Sequence, residues 1–118
     1  MRLGALFDQK RGHCVVQKVW RADNPWERMR GLLGRPRLAE NEALLLDPCR
    51  SVHCMGMIYP LDLAYLDRRG RVCKLVYGLK PWRFSASLQA RATLELAEGA
   101  LKETGIKLGD VVAWRGTA

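Results

Sequence analysis

Cys49, His53 and Cys54 fall within six residues of one another, in the stretch CRSVHCMGMIYPLDLAYLD between Cys49 and Asp67. Two thiols and an imidazole can hold a metal ion or make a nucleophile with its base. Structural zinc takes four such ligands, usually from two knuckles. The spacing here is C-x3-H-C, so Cys14 with His13, or Cys73, would have to complete the set. Adjacent residues on a strand also point to opposite faces, which separates His53 from Cys54. We therefore expect no metal and no cofactor. For nucleophilic chemistry, Cys49 in the loop Pro48-Cys49-Arg50 is the better thiol, because Arg50 could stabilise a thiolate. No acid stands where it would orient a histidine base.

His53 and Asp62 form a second pair able to exchange a proton. Nine residues of strand would hold them roughly 30 Å apart, so they meet only if the chain folds back near Gly56 or Tyr59-Pro60. A small hydrolase or thiol enzyme using Cys49, or His53 with Asp62, is one reading of these residues. It competes with binding functions suggested by charge.

The 118 residues carry a formal net charge of +8, unevenly spread: residues 38–67 sum to −4 and residues 68–83 to +6. Such a field attracts acidic proteins, small anions or nucleic acid. Trp82 and Arg83 lie in the loop GLKPWRFSAS, and Arg35 and Arg37 follow a short basic helix. The leading expectation is a non-catalytic domain that binds an acidic protein or a small anionic ligand. Arg35, His53, Asp62, Trp82 and Arg83 are the candidate ligand-binding residues. Nucleic acid is the alternative partner, because aromatics among cations can stack bases and neutralise phosphates. The sequence leaves the oligomeric state open.

One domain over residues 1–118 is expected from the length. No run of about 18 apolar residues exists to span a membrane, and MRLGALF turns polar too soon for a secretory segment, so a cytoplasmic location is expected. In that compartment the four cysteines should be reduced, and buried.

The elements that must position these groups are short. Residues 3–7, 14–20, 43–47, 52–59, 61–67, 71–77, 91–96 and 111–114 read as strands, with DRRG at 67–70 turning a hairpin. In DNPWERMRGLLGRP, Asn24 suits an N-cap, Pro25 the first helical position and Gly34 the exit, predicting a helix over 25–33 with Trp26, Met29, Leu32 and Leu33 on one face. AEGALKETG predicts a second helix over 97–105, closed by Gly105. Residues 78–87 read as a loop. Through 52–67 the odd positions look like core and the even ones, Ile58 among them, like a second packed face, which makes this stretch a central spine. The sum is an α+β fold, a β-dominant compact barrel-like sheet with two short helices.

RMRGLLGR, YPLDLAYLDRRGRV and LELAEGALKETGIKLGDVV occur in that order over about residues 18–114. Together they resemble the uncharacterised bacterial and archaeal family known as domain of unknown function 192. Members carry a G-L-x-G-R helix end, a P-L-D strand, an L-E-L segment and an I-x-x-G-D-x-V ending. Where many have aromatic-Met-Lys-Asn before P-L-D, this chain has His53-Cys54-Met55-Gly56-Met57, resembling a branch with Cys-x-Ser-x-His. The resemblance implies a small β-rich domain and carries over no catalytic residue.

Overall fold

The computed structural model describes residues 1–22, 24, 37–53 and 58–117, with the side chain of His53 left out. Among the described residues nine strands and one helix follow in chain order: β1 (Arg2–Asp8), β2 (Cys14–Ala22), β3 (Glu42–Leu46), β4 (Ser51–His53), β5 (Leu61–Leu66), β6 (Val72–Leu79), β7 (Phe84–Ala86), β8 (Ala92–Ala97), α1 (Ala100–Thr104) and β9 (Val112–Gly116). Seven strands form one sheet in the order β6-β5-β8-β3-β2-β1-β9, and β4 pairs with β7 in a second, small sheet. β2 and β3 run parallel, while the other paired strands run antiparallel. A parallel pair needs a crossover of a dozen residues or more, and residues 23–41 supply that length.

The large sheet buries both faces. Val16, Val19, Leu45, Ala64, Leu94 and Leu96 form one core, closed by Leu101 of α1 and by Ile106. Leu44, Leu46, Leu61, Leu63 and Tyr65 form the other, with Trp20 at its margin. All six residues of β5 are buried, as a strand apolar on both faces requires. The spine expected from the sequence is therefore real from residue 61 onward. Ile58 departs from it. It is 90% exposed, because it precedes the strand rather than lying in it.

Local chemistry explains the turns. Asp67 Oδ1 accepts the backbone N–H groups of Arg69 and Arg71, and Gly70 takes the positive φ that closes the β5–β6 hairpin. Asp8 does the same at the β1–β2 hairpin, accepting from Lys10 and Arg11. α1 stops at Gly105 in the left-handed conformation, the residue the sequence marks as its exit. The helix is shorter than 97–105, since β8 extends to Ala97 and Gly99 breaks the chain direction with φ 88°.

Three further expectations need correction, and the helix expected over 25–33 falls outside the described residues. The sheet is not closed into a barrel: a single antiparallel bridge, Arg71↔Val111, joins its outer strands, and no ladder continues from it. The stretch 78–87 is not all loop, because Phe84–Ala86 form β7 against β4. The cysteines are not all interior. Cys14 is exposed, and Cys49 and Cys73 are half-buried free thiols. Among the described residues α1 is the one helix, and the helix expected over 25–33 lies outside them.

Candidate anion-binding groove

Antiparallel pairing of β5 with β8 sets Leu66 opposite Ala92, so the turn after β5 stands beside the approach to β8. The Arg91 N–H donates to the Leu66 carbonyl at 2.7 Å, and the Cys49 N–H donates to the Arg91 carbonyl at 2.7 Å. Three chain segments, 48–50, 67–71 and 88–91, are thereby drawn together around a cavity of about 1120 Å³. Among the described residues it is lined by Arg50, Arg68, Arg69, Arg71 and Arg91, with Asp67 as the one acidic residue. Cys49, Leu88, Ala90 and Val111 supply less polar surface.

Two of the five guanidiniums are held by the fold. Arg50 Nε donates to the Ala90 carbonyl at 3.1 Å, and Arg91 Nε donates to Asp47 Oδ1 at 3.2 Å. Asp47 also pairs with Arg21 at 3.0 Å, so it is shared and only partly offsets Arg91. Arg68, Arg69 and Arg71 make no side-chain hydrogen bond or ion pair with any described residue. Asp67 is occupied by the turn it caps, which leaves the groove strongly positive. Guanidinium forks are suited to phosphate and carboxylate oxygens, which they bind in pairs. Gly70 locates the turn: a Cβ there would strike the Val112 carbonyl, and the Val112 N–H donates to the Gly70 carbonyl at 2.9 Å.

Of the residues singled out in the sequence, Cys49 and Arg50 line the groove, whereas His53, Asp62, Trp82 and Arg83 are not among its lining residues. Asp62 is 1% exposed, and its oxygens accept three backbone N–H groups: Gly78 at 2.8 Å, Gly99 at 2.9 Å and Leu101 at 3.1 Å. It ties β6 and the start of α1 to β5. His53 is in β4, opposite Phe84, so it and Asp62 belong to different sheets. Trp82 is 69% exposed with φ 64°, and next to it Arg83 leads into β7. His53, Arg83 and Trp82 are thus neighbours around the small sheet, while Arg35 lies outside the described residues. The Cys49 thiol donates to the Ser51 carbonyl at 3.1 Å. Among the described residues no group of three or more His, Cys, Asp and Glu side chains could hold a metal ion. No helix among them is long and apolar enough to cross a membrane.

Sequence reasoning flagged the +6 segment that holds Arg68, Arg69 and Arg71, but not the groove. Arg50 and Arg91 are single basic residues in stretches of low charge, and only the β5–β8 pairing brings them to that segment.

The sequence profile of DUF192, described as an uncharacterised ACR, matches residues 7–114. The chain belongs to this family. No curated protein matches it. Two crystal structures share the DUF192 chain's fold. One is a protein from Sinorhizobium meliloti 1021 named as a candidate transcription regulator, with 22% identity, a TM-score of 0.79, and 96% of this chain and 92% of that one covered. The other is a protein of unknown function from Novosphingobium aromaticivorans DSM 12444, with 22% identity, a TM-score of 0.77, and coverage of 95% and 84%. At such identity the likeness is one of fold.

Proposed function

We propose that this DUF192 protein is a non-catalytic binding domain whose arginine groove takes a small ligand bearing several negative charges. The observation that carries this reading is the lining itself: five arginines from three segments around one cavity, with one carboxylate among the described residues that line it. Two of them are fixed by their own backbone and carboxylate partners, which lowers the entropy lost when an anion binds. Three remain available for phosphate or carboxylate oxygens. A multiply charged anion matches the excess of positive charge better than a single carboxylate does.

A nucleic-acid backbone is the second reading. The groove is larger than most small-molecule pockets, and the Sinorhizobium protein of the same fold is named as a candidate transcription regulator. Against it, no aromatic residue lines the groove among the described residues, so these offer bases no stacking surface there.

Calorimetric titration with inorganic tripolyphosphate, and separately with a 20-base-pair duplex, tests both. Tripolyphosphate should bind at one site per chain and lose about tenfold or more in Arg71→Glu and in Arg69→Glu, each of which reverses a charge. Unchanged affinity in both variants, or no saturable binding, overturns the proposal. Tighter binding of duplex, with a log–log salt slope near −0.9 per phosphate neutralised, replaces it with the second reading.

A further inference from the structure

The arginine groove has an apolar wall that an inorganic anion would leave unused. Leu88 and Gln89 form the corner of a tight turn, in which the Ala90 N–H donates to the Ser87 carbonyl at 3.2 Å. The turn is fastened at both ends. The Ser87 N–H donates to the Arg50 carbonyl at 2.9 Å, Arg50 Nε donates to the Ala90 carbonyl at 3.1 Å, and the Arg91 N–H donates to the Leu66 carbonyl at 2.7 Å. Turn corners favour Gly, Pro, Asn, Asp and Ser, which suit the backbone or bond to it. Here the corner carries a leucine that is 90% exposed and lines the cavity. At that exposure its side chain adds almost nothing to the core, and a fixed turn holds it in place.

Other apolar residues stand with it. Pro48, Ala90 and Val111 line the same cavity. Val111 is the bridge partner of Arg71, so apolar surface lies beside one of the three arginines left available by the fold. The cavity, about 1120 Å³, has room for much more than an anionic head.

We propose that the groove takes an anionic amphiphile: a phosphate ester whose oxygens meet the arginines of the 67–71 turn and whose apolar chain lies along Leu88, Pro48 and Val111. It rests on the groove being the binding site, and adds the class of molecule held there. Five arginines against one carboxylate in the described lining match the two charges of a phosphate monoester better than the single charge of a carboxylate. Phosphate oxygens also accept paired N–H bonds from guanidinium forks. Contact between the chain and Leu88 removes apolar surface of both from water, a gain that the fold alone does not give this side chain. An alkyl chain suits the lining better than a nucleoside does, because no aromatic ring lines the groove among the described residues.

Calorimetric titration with a series of n-alkyl phosphates, each below its micelle concentration, tests this, with tripolyphosphate measured beside them to report the groove itself. Hexyl phosphate should bind about tenfold or more tighter than ethyl phosphate, since the added methylenes are partly buried. Leu88→Asn should remove most of that gain and leave ethyl phosphate and tripolyphosphate unchanged; the side chain is too exposed for the substitution to disturb the core. Arg71→Glu should weaken all three by about tenfold. Vesicles with and without phosphatidate separate the two sources of such a group: Leu88-dependent sedimentation with phosphatidate vesicles assigns it to a bilayer lipid, and binding of hexyl phosphate without sedimentation to a free molecule. Equal affinity for ethyl and hexyl phosphate, with tripolyphosphate bound, overturns the amphiphile and leaves the anion groove standing. A chain-length gain that Leu88→Asn leaves intact overturns the assignment to this wall. No saturable binding of tripolyphosphate or of any alkyl phosphate overturns both readings.

Discussion

Replacing Glu95 with Gln should stabilise the protein at neutral and alkaline pH and leave it unchanged in acid. The Glu95 carboxyl is raised from 4.5 to about 7 by burial. Below about pH 4.5 it is protonated in the folded and unfolded chains alike, and burial of a neutral group carries no ionisation penalty. Between 4.5 and 7 the unfolded chain releases the proton and the folded one keeps it. Stability then falls as pH rises, by about 1.4 kcal/mol for each pH unit. Above 7 the loss is complete, and the difference of about 2.5 pH units corresponds to about 3 kcal/mol. Gln is nearly the shape of the protonated acid and cannot ionise. Subtracting the urea-unfolding free energies of wild type from those of Glu95→Gln, at half-unit steps from pH 4.5 to 8.5, should trace a rise from near zero to about 3 kcal/mol. The subtraction removes groups common to both proteins. One is Asp8, whose carboxyl is held low by the Arg11 N–H and whose own contribution is lost as acid is added. A difference that stays flat across this range would refute the reasoning, since it would mean that Glu95 ionises as easily in the fold as out of it.

Other substitutions probe the remaining assignments. Asp62→Ala removes the acceptor of three backbone N–H groups, one buried and two part-buried, and should cost about 3 kcal/mol in denaturant unfolding, whereas a loss below about 1 kcal/mol would show that these bonds do not hold β6 and α1 to β5. Trp82→Gly should stabilise by about 1 kcal/mol, because φ 64° is strained for any residue with a Cβ; a lower melting temperature would show that the indole has a packing role. Gly70→Ala should lower the melting temperature and weaken tripolyphosphate binding together, since the added Cβ pushes the arginine turn away from Val112.

The parts of this fold legible in the sequence are those fixed by neighbours along the chain. β5, its hairpin to β6 and the glycine exit of α1 rest on local alternation, an Asp-Gly turn and a left-handed cap, and each falls where its residues place it. Closure of the sheet is different. It depends on whether β6 and β9 run on from the bridge Arg71↔Val111, and no local pattern reports that register. β7 was hidden because three residues with one buried position leave no alternation to read. The groove was hidden for a related reason. Its arginines are ordinary surface residues until β5 and β8 pair.

The two buried carboxyls show where sequence reasoning about function goes astray and what corrects it. Asp62 stands out in the sequence as a polar residue in an apolar spine, while Glu95, inside the expected strand 91–96, is given no role there. Alternation implies a wet face only when one side of the sheet is open, and this sheet is covered on both. The residues lie on adjoining strands, Asp62 opposite Leu96 and Glu95 opposite Leu63, and so face opposite cores. The fold gives Asp62 three N–H donors, including two from the start of α1, so its charge is satisfied and its role is to hold elements together. It gives Glu95 leucines. Burial raises its carboxyl to about 7, so ionisation there lowers stability near neutral pH, a penalty that a glutamine would not carry. The two carboxyls therefore differ in what the fold does with their charge: it holds Asp62 with backbone N–H donors and opposes the ionisation of Glu95 by burial.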